Sequence, residues 1–110
     1  ELYVVGVGKY IGTFVNDKKE GKGILYFENG AIYNGEWKDD NAHGKGKFFS
    51  RDGYIYIGDW LNNQRSGFGS LEYKNGIYEG GWSENKANGN GKITYKNGNI
   101  FIGEMKDWNC

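Results

Sequence analysis

No proline interrupts the 110-residue sequence, and it holds one cysteine, one histidine and one methionine. Each shortage removes a class of protein. The cysteine, Cys110, is the last residue, which excludes an internal disulfide framework and a thiolate metal cage and favours a reducing compartment. Nothing basic stands beside it to activate it, so it reads as an ordinary surface thiol. His43 has no second histidine or cysteine to complete a metal set, and a structural role is expected for it. Fourteen basic and fourteen acidic residues cancel, so no net field draws the chain to nucleic acid or to an anionic membrane. No apolar run approaches the roughly 20 residues of a spanning helix, and no signal-peptide pattern is present, so a cytoplasmic chain is expected. Helical spacing of apolar residues is missing throughout.

Glycine is what the chain has in excess: 20 residues, about twice the usual share. They are periodic. Tyr10, Tyr33, Tyr56, Tyr78 and Phe101 each stand two residues before a glycine (Gly12, Gly35, Gly58, Gly80, Gly103), and Phe14, Trp37, Trp60, Trp82 and Met105 stand two residues after it. Paired glycines, Gly21/Gly23, Gly44/Gly46, Gly67/Gly69 and Gly89/Gly91, follow in phase. A turn dipeptide completes each period, at Asn29-Gly30, Asp52-Gly53, Asn75-Gly76 and Asn97-Gly98. Such self-similarity marks a repeat architecture.

Alternation within each period predicts two strands, for example Ile32 to Lys38 and His43 to Ser50. Three-residue loops ending in glycine, such as Glu28-Asn29-Gly30, predict hairpins that pair Leu25 with Tyr33, Gly23 with Gly35 and Gly21 with Trp37. The third hairpin is one residue shorter, and a two-residue turn at Asn75-Gly76 would pair Tyr73 with Tyr78. If a short loop over 39–42 also sets Trp37 opposite Gly44, the rows of a continuous antiparallel sheet follow. One row alternates Phe14, Trp37 and Trp60 with glycines. The next is all glycine: Gly12, Gly23, Gly35, Gly46, Gly58, Gly69. The third reads Tyr10, Leu25, Tyr33, Phe48, Tyr56, Leu71.

A glycine trench between two apolar ridges is therefore expected. Same-face rows lie about 6.8 Å apart, so the ridges stand about 13 to 14 Å apart, wide enough for a helix of about 10 to 12 Å diameter. The trench would run roughly 40 Å along nine strands at about 4.8 Å each. The expected groove residues are Tyr10, Phe14, Tyr33, Trp37, Phe48, Tyr56, Trp60, Leu71, Tyr78, Trp82 and Phe101, over a floor of the six glycines just named. A second use of the same pattern is that tyrosine and tryptophan rings lie over the glycines and protect the backbone. On the opposite face Lys22, Glu36, Lys45 and Asp59 alternate in sign along one row, while Glu72 would face Glu79. Glu36, Asp59, Glu79 and Glu104 read as one recurring position, and recurrence argues for framework over catalysis. The paired glycines open no helix and carry no Lys-Ser/Thr follow-up, so they do not read as a phosphate cradle.

The segments "YNGEW", "HGKGKF" and "RDG", in that order, resemble the MORN repeat (membrane occupation and recognition nexus), and the pattern covers residues 10 to 105. Where the family often has a glycine four residues before the paired glycines, this chain has Asp17, Asp40, Asn63 and Asn85, residues that tolerate left-handed backbone. The resemblance implies an all-β, single-layer antiparallel sheet of successive hairpins. Repeats are expected at 10–32, 33–55, 56–77 and 78–100, with a lead-in over 1–9, where Tyr3 and Val5 could continue a strand, and a partial repeat over 101–110. It further implies a non-enzymatic scaffold, without cofactor, that binds a partner protein segment in a cytoskeletal, ciliary or membrane-associated assembly. An amphipathic helix in the groove is the expected partner, and self-association into a homodimer is the second expectation. Family members that bind phospholipid, or carry the repeats beside an enzyme, supply the alternative. A headgroup site wants clustered unpaired cations, and here only Lys18-Lys19 are adjacent in a turn.

Overall fold

The computed structural model describes residues 2–4 and 6–108; Val5 and Cys110, on which two expectations fell, lie outside the described residues. Ten strands run in chain order through one antiparallel sheet: β1 (Leu2–Val4), β2 (Gly8–Val15), β3 (Lys18–Phe27), β4 (Ile32–Lys38), β5 (Asn41–Phe49), β6 (Ile55–Leu61), β7 (Gln64–Tyr73), β8 (Gly76–Ser83), β9 (Lys86–Tyr95) and β10 (Ile100–Trp108). No helix occurs among the described residues. The molecule is elongated, 46 × 23 × 18 Å, as expected of hairpins added side by side in a single layer.

Two kinds of turn alternate along it. The hairpin ends at 28–30, 51–53 and 96–98 are three-residue loops, closed by bonds such as Gly30 N–H to the Phe27 carbonyl at 3.1 Å. Their last residue, for example Gly30 with φ +99°, takes the left-handed conformation that favours glycine. The two strands of each repeat are joined by two-residue turns in which both residues are left-handed: Asn16/Asp17, Asp39/Asp40, Asn62/Asn63 and Glu84/Asn85, with φ between 48° and 70°. That is the type I′ hairpin, whose twist matches that of the strands. Asp and Asn supply it here without glycine.

The hairpin registers follow the expected pairing, with Leu25↔Tyr33, Gly23↔Gly35 and Gly21↔Trp37 between β3 and β4. The registers across the two-residue turns do not. Trp37 faces Ala42, not Gly44, because the turn has only two residues and β5 takes four steps, from Gly46 to Ala42, where β4 takes two. The excess forms a bulge around Gly44, whose φ is +81°. Phe14, Trp60 and Trp82 likewise face Lys19, Arg65 and Ala87.

The short third hairpin also departs from expectation. Tyr73 pairs with Gly76 across Lys74-Asn75, so Gly76 takes the strand place that Ala31 holds in the first hairpin, and Leu71 faces Tyr78. This dissolves the expected contact of like charges: Glu72 faces Ile77, while Glu79 faces Ser70 and Lys92.

Candidate functional site

The expected trench is filled. From each repeat one tyrosine lies down across the next pair of glycines: Tyr10 over Gly12/Gly23, Tyr33 over Gly35/Gly46, Tyr56 over Gly58/Gly69 and Tyr78 over Gly80/Gly91. A Cβ on Gly46 would come 2.1 Å from the Tyr33 hydroxyl oxygen, and one on Gly35 would come 2.4 Å from the Gly46 Cα. One glycine of each pair thus seats a ring, and the other lets two backbones approach. Each hydroxyl donates to a carbonyl three residues on, as Tyr56 does to Asp59 at 2.8 Å and Tyr33 to Glu36 at 3.0 Å. A ring seated in this way satisfies its polar tip while burying its body.

The tryptophans lock each repeat to the one before. Trp37, Trp60 and Trp82 donate their indole N–H to the carbonyls of Gly23, Gly46 and Gly69 at 3.1 to 3.2 Å. Edge-to-face contacts then run without a break, Tyr33 on Trp37 and Trp60, Tyr56 on Trp60 and Trp82, Tyr78 on Trp82, with centroids 4.9 to 5.4 Å apart. Each such pair contributes about 0.5 to 1.5 kcal/mol beyond area burial.

Of the eleven residues expected to line the groove, Tyr10, Tyr33, Trp37, Tyr56, Leu71, Tyr78 and Trp82 are buried within this layer. Phe48 and Trp60 are half-buried, and Phe14 and Phe101, at the two ends, are exposed. The arrangement corresponds to rings lying over the glycines, not to an open floor. Burial, and secondarily the nearby Glu36 and Asp59 carboxylates, push the Tyr33 and Tyr56 hydroxyls well above the ordinary phenol range. Tyr10 is raised by the same causes, burial and then Asp40.

Five residues that frame this face were not singled out from sequence for any contact with it. Lys19 reaches over Tyr10 and Trp37, 5.7 and 5.2 Å from their centroids, and pairs with Asp40 at 3.3 Å. Arg65 lies over Tyr56 and Trp82, its guanidinium carbon 5.9 and 4.6 Å from the centroids. The second turn residues brace these positions. Asp40, Asn63 and Asn85 accept the backbone N–H of Lys19, Ala42 and Arg65 through their side chains, at 2.7 to 2.8 Å, and return their own N–H to the same residues' carbonyls. Glycine at those positions would make the turn and not the brace. The signal in the sequence is a cation two residues after the Asx turn in alternate repeats. Between the two cations a cleft of about 490 Å³ opens above Ala42, bordered by Phe48, Tyr54 and Trp60.

The opposite face carries the ionic row. Lys22 faces Glu36, Lys45 forms an ion pair with Asp59, and the Glu36 and Asp59 carboxylates accept the bulge N–H groups of Lys45 and Phe68 at 3.0 and 3.1 Å. Contrary to the expectation from sequence, Glu79 does not share that position; the fourth repeat has Gly81 there, between Gly80 and Trp82. Most exposed large apolar side chains among the described residues also stand on this face, including Ile11, Ile57, Phe68, Ile77 and Ile102. Ile57 and Phe68 border an open basin of about 590 Å³ with mixed charge. His43 is half-buried in the β5 bulge, and no group of three metal-ligating side chains occurs among the described residues.

Comparison with known families gives one result: the profile of the MORN repeat matches four times, at residues 10–32, 33–53, 56–77 and 78–100. Comparison with curated proteins gives no match.

Proposed function

The chain belongs to the MORN-repeat family, and from that premise we propose that it is a non-enzymatic scaffold segment that holds a partner protein against its tyrosine–tryptophan face. MORN repeats mark a scaffold or membrane-association domain and are generally non-catalytic. The observation that carries the finer reading is the cleft above Ala42, where the continuous ring layer leaves Phe48, Tyr54 and Trp60 half-exposed in a sheet with no second layer among the described residues. An amphipathic helix of the partner rests there on ring edges and tyrosine bodies, not on bare glycine backbone, so its large side chains point into the cleft. The setting is a cytoplasmic assembly attached to cytoskeleton, cilium or membrane. Edge pairing into a homodimer is the competing use of the molecule.

Affinity capture with three proteins tests this: the natural chain, Trp60→Ala, and Ile57→Ser on the other face, each shown by circular dichroism to keep its sheet. Specific proteins lost with Trp60→Ala and retained with Ile57→Ser are expected. The reverse would assign docking to the ionic face. Retention by both, with binding to anionic vesicles that weakens steeply with salt, would replace the protein partner by a lipid headgroup.

A further inference from the structure

Residues 19, 42, 65 and 87 are equivalent, each two positions after a left-handed turn residue, and the first three are braced by the turn residue of the following repeat, Asp40, Asn63 and Asn85. At 19 and 65 the chain sets its own cation over a tyrosine and the next repeat's tryptophan. At 87 the residue is alanine, and the Trp108 ring lies against Tyr78 there, 5.7 Å away. At 42 the residue is also alanine, and no cation among the described residues lies over Tyr33 and Trp60. The consequence is visible in the indoles. Trp37 and Trp82, under cations, are 6% and 4% exposed, whereas Trp60 is only half-buried beside the cleft.

We propose that this cleft is an arginine socket: it receives the guanidinium of an arginine carried by the partner protein, laid over Tyr33 and Trp60 as Arg65 is laid over Tyr56 and Trp82. The proposal rests on the tyrosine–tryptophan face being the docking face. The two ring pairs have the same geometry, with centroids 5.2 Å apart and planes at 88°. Guanidinium is favoured over ammonium by the bracing residue. Asp40, a carboxylate, accompanies Lys19, whereas Asn85 accompanies Arg65 and takes its Nη2–H on the main-chain carbonyl at 2.7 Å. The socket has Asn63, whose side chain already takes the Ala42 N–H at 2.7 Å as that of Asn85 takes the Arg65 N–H at 2.8 Å. Its carbonyl is the corresponding acceptor. Of the flanking cations, Lys19 is paired with Asp40. Arg65 borders the cleft across from Trp60, but its guanidinium is turned to the next ring pair, over Tyr56 and Trp82, where the Asn85 carbonyl holds it; the two ring pairs are about 10 Å apart as two strand spacings, about a Debye length at physiological salt.

The test uses the whole chain with N-acetyl-arginine-methylamide, its neutral citrulline counterpart, and phosphatidylcholine vesicles, read by the Trp60 indole N–H resonance. The arginine probe should shift that resonance and bind about 2- to 5-fold more tightly than citrulline, the ratio expected of an exposed cation–π contact. Ala42→Arg should abolish the response and raise the melting midpoint by about 2 to 8 °C. Ala42→Leu, which fills the cleft without charge, should abolish the response too. Equal binding of arginine and citrulline, no shift by either, a shift by vesicles alone, or a response surviving in both variants would each overturn the socket. Partner capture separates this from the docking reading. A partner lost with Trp60→Ala but kept with Ala42→Arg leaves the docking face standing and removes the socket. A probe response without any captured partner does the opposite.

Discussion

The two faces of this sheet are built from the same alternating strands and end in opposite states. On one, large aromatic rings are almost wholly withdrawn from water, Tyr56 and Tyr78 to 0% exposure, with no second layer among the described residues to cover them. On the other, Ile57 and Phe68 remain 51% and 64% exposed. Hydrophobicity does not separate them. What differs is the floor. Tyr56 has Gly58 and Gly69 to lie on, whereas Ile57 stands between Lys47 and Ser70, whose side chains leave no seat. The glycine pairs on the tyrosine face, such as Gly58/Gly69, are where rings are laid, and a single layer thereby makes a core from one of its own faces. That face is also continuous from repeat to repeat, which gives the nearest-neighbour coupling on which repeat proteins depend.

Adjacent residues on opposite faces give the sharpest way to break the comparison. Tyr56→Ala removes a fully buried ring, its bond to the Asp59 carbonyl and its contacts with Trp60 and Trp82, and is expected to cost about 3 to 5 kcal/mol. Ile57→Ala should change stability by no more than about 0.5 kcal/mol, as surface changes do. Urea denaturation measures both. Similar losses would mean that the exposed face is covered in solution.

The floor itself comes next in size. Gly46→Ala puts a methyl group 2.1 Å from the Tyr33 hydroxyl oxygen and 2.4 Å from its Cζ, so the ring must lift, and a loss of about 2 to 3 kcal/mol is expected. Combined with Tyr33→Ala, the alanine has no ring to displace. The double variant should therefore be more stable than the sum of the two losses predicts, by about 1 kcal/mol or more. Strict additivity would show that Tyr33 and Gly46 are independent.

Raising the pH sharpens the comparison through titration. The Tyr33 and Tyr56 hydroxyls are held above the ordinary phenol range chiefly by burial, so the folded state keeps protons that the unfolded chain releases near pH 10. Their contribution to stability is full below that pH and is lost as the pH rises through the folded-state values. Melting followed from pH 9 to 12 should fall, and Tyr33→Phe with Tyr56→Phe should flatten the decline. A decline of equal steepness in that variant would assign alkaline unfolding to other groups.

The hairpins, the repeat period and the aromatic face were legible because they rest on local chemistry: side-chain alternation and loops such as Glu28-Asn29-Gly30 fix the Leu25–Tyr33 register wherever the chain is read. The two-residue turns inside the repeats were not. A four-residue loop over 39–42 and a two-residue turn at Asp39-Asp40 are both compatible with the sequence, and the choice depends on the bulge at Gly44, where the Lys45 N–H meets the Glu36 carboxylate. The Tyr73 register failed for a similar reason. Asn75-Gly76 has turn chemistry, but Gly76 is drawn into the strand, where a Cβ would lie 2.3 Å from the Thr94 carbonyl oxygen on the neighbouring hairpin. Whether a trench of glycines is open or filled depends on the tyrosine rotamer, which strand periodicity leaves undetermined. The ring contacts of Lys19 and Arg65 were not legible because they are made with rings of the following repeat, Trp37 and Trp82.

The smallest expected effects compare the two faces by their carboxylates. Asp40, beside the rings, is held below the usual carboxylate range first by accepting the Lys19 backbone N–H, with the Lys19 ammonium adding to it. Asp59, on the ionic face, is lowered first by its bond to the Lys45 ammonium. Both groups stabilise the fold above the ordinary carboxylate pKa, and both contributions are lost as the pH falls through the depressed folded values. Each is solvent-accessible, so each should be worth less than about 1 kcal/mol. Asp40→Asn keeps an acceptor of the kind that Asn63 and Asn85 supply, so it should flatten the acid limb of the stability curve while costing little at neutral pH. Salt separates the pairs. In about 0.5 M salt the Debye length is about 4 Å, which screens the exposed Lys45 ammonium but acts less on a hydrogen bond to backbone N–H. The acid-limb difference between the natural chain and Asp59→Asn should therefore shrink in salt more than that between the natural chain and Asp40→Asn. Equal shrinkage would mean that the Asx brace between repeats acts through charge alone, and that the amides of Asn63 and Asn85 do not do the same work.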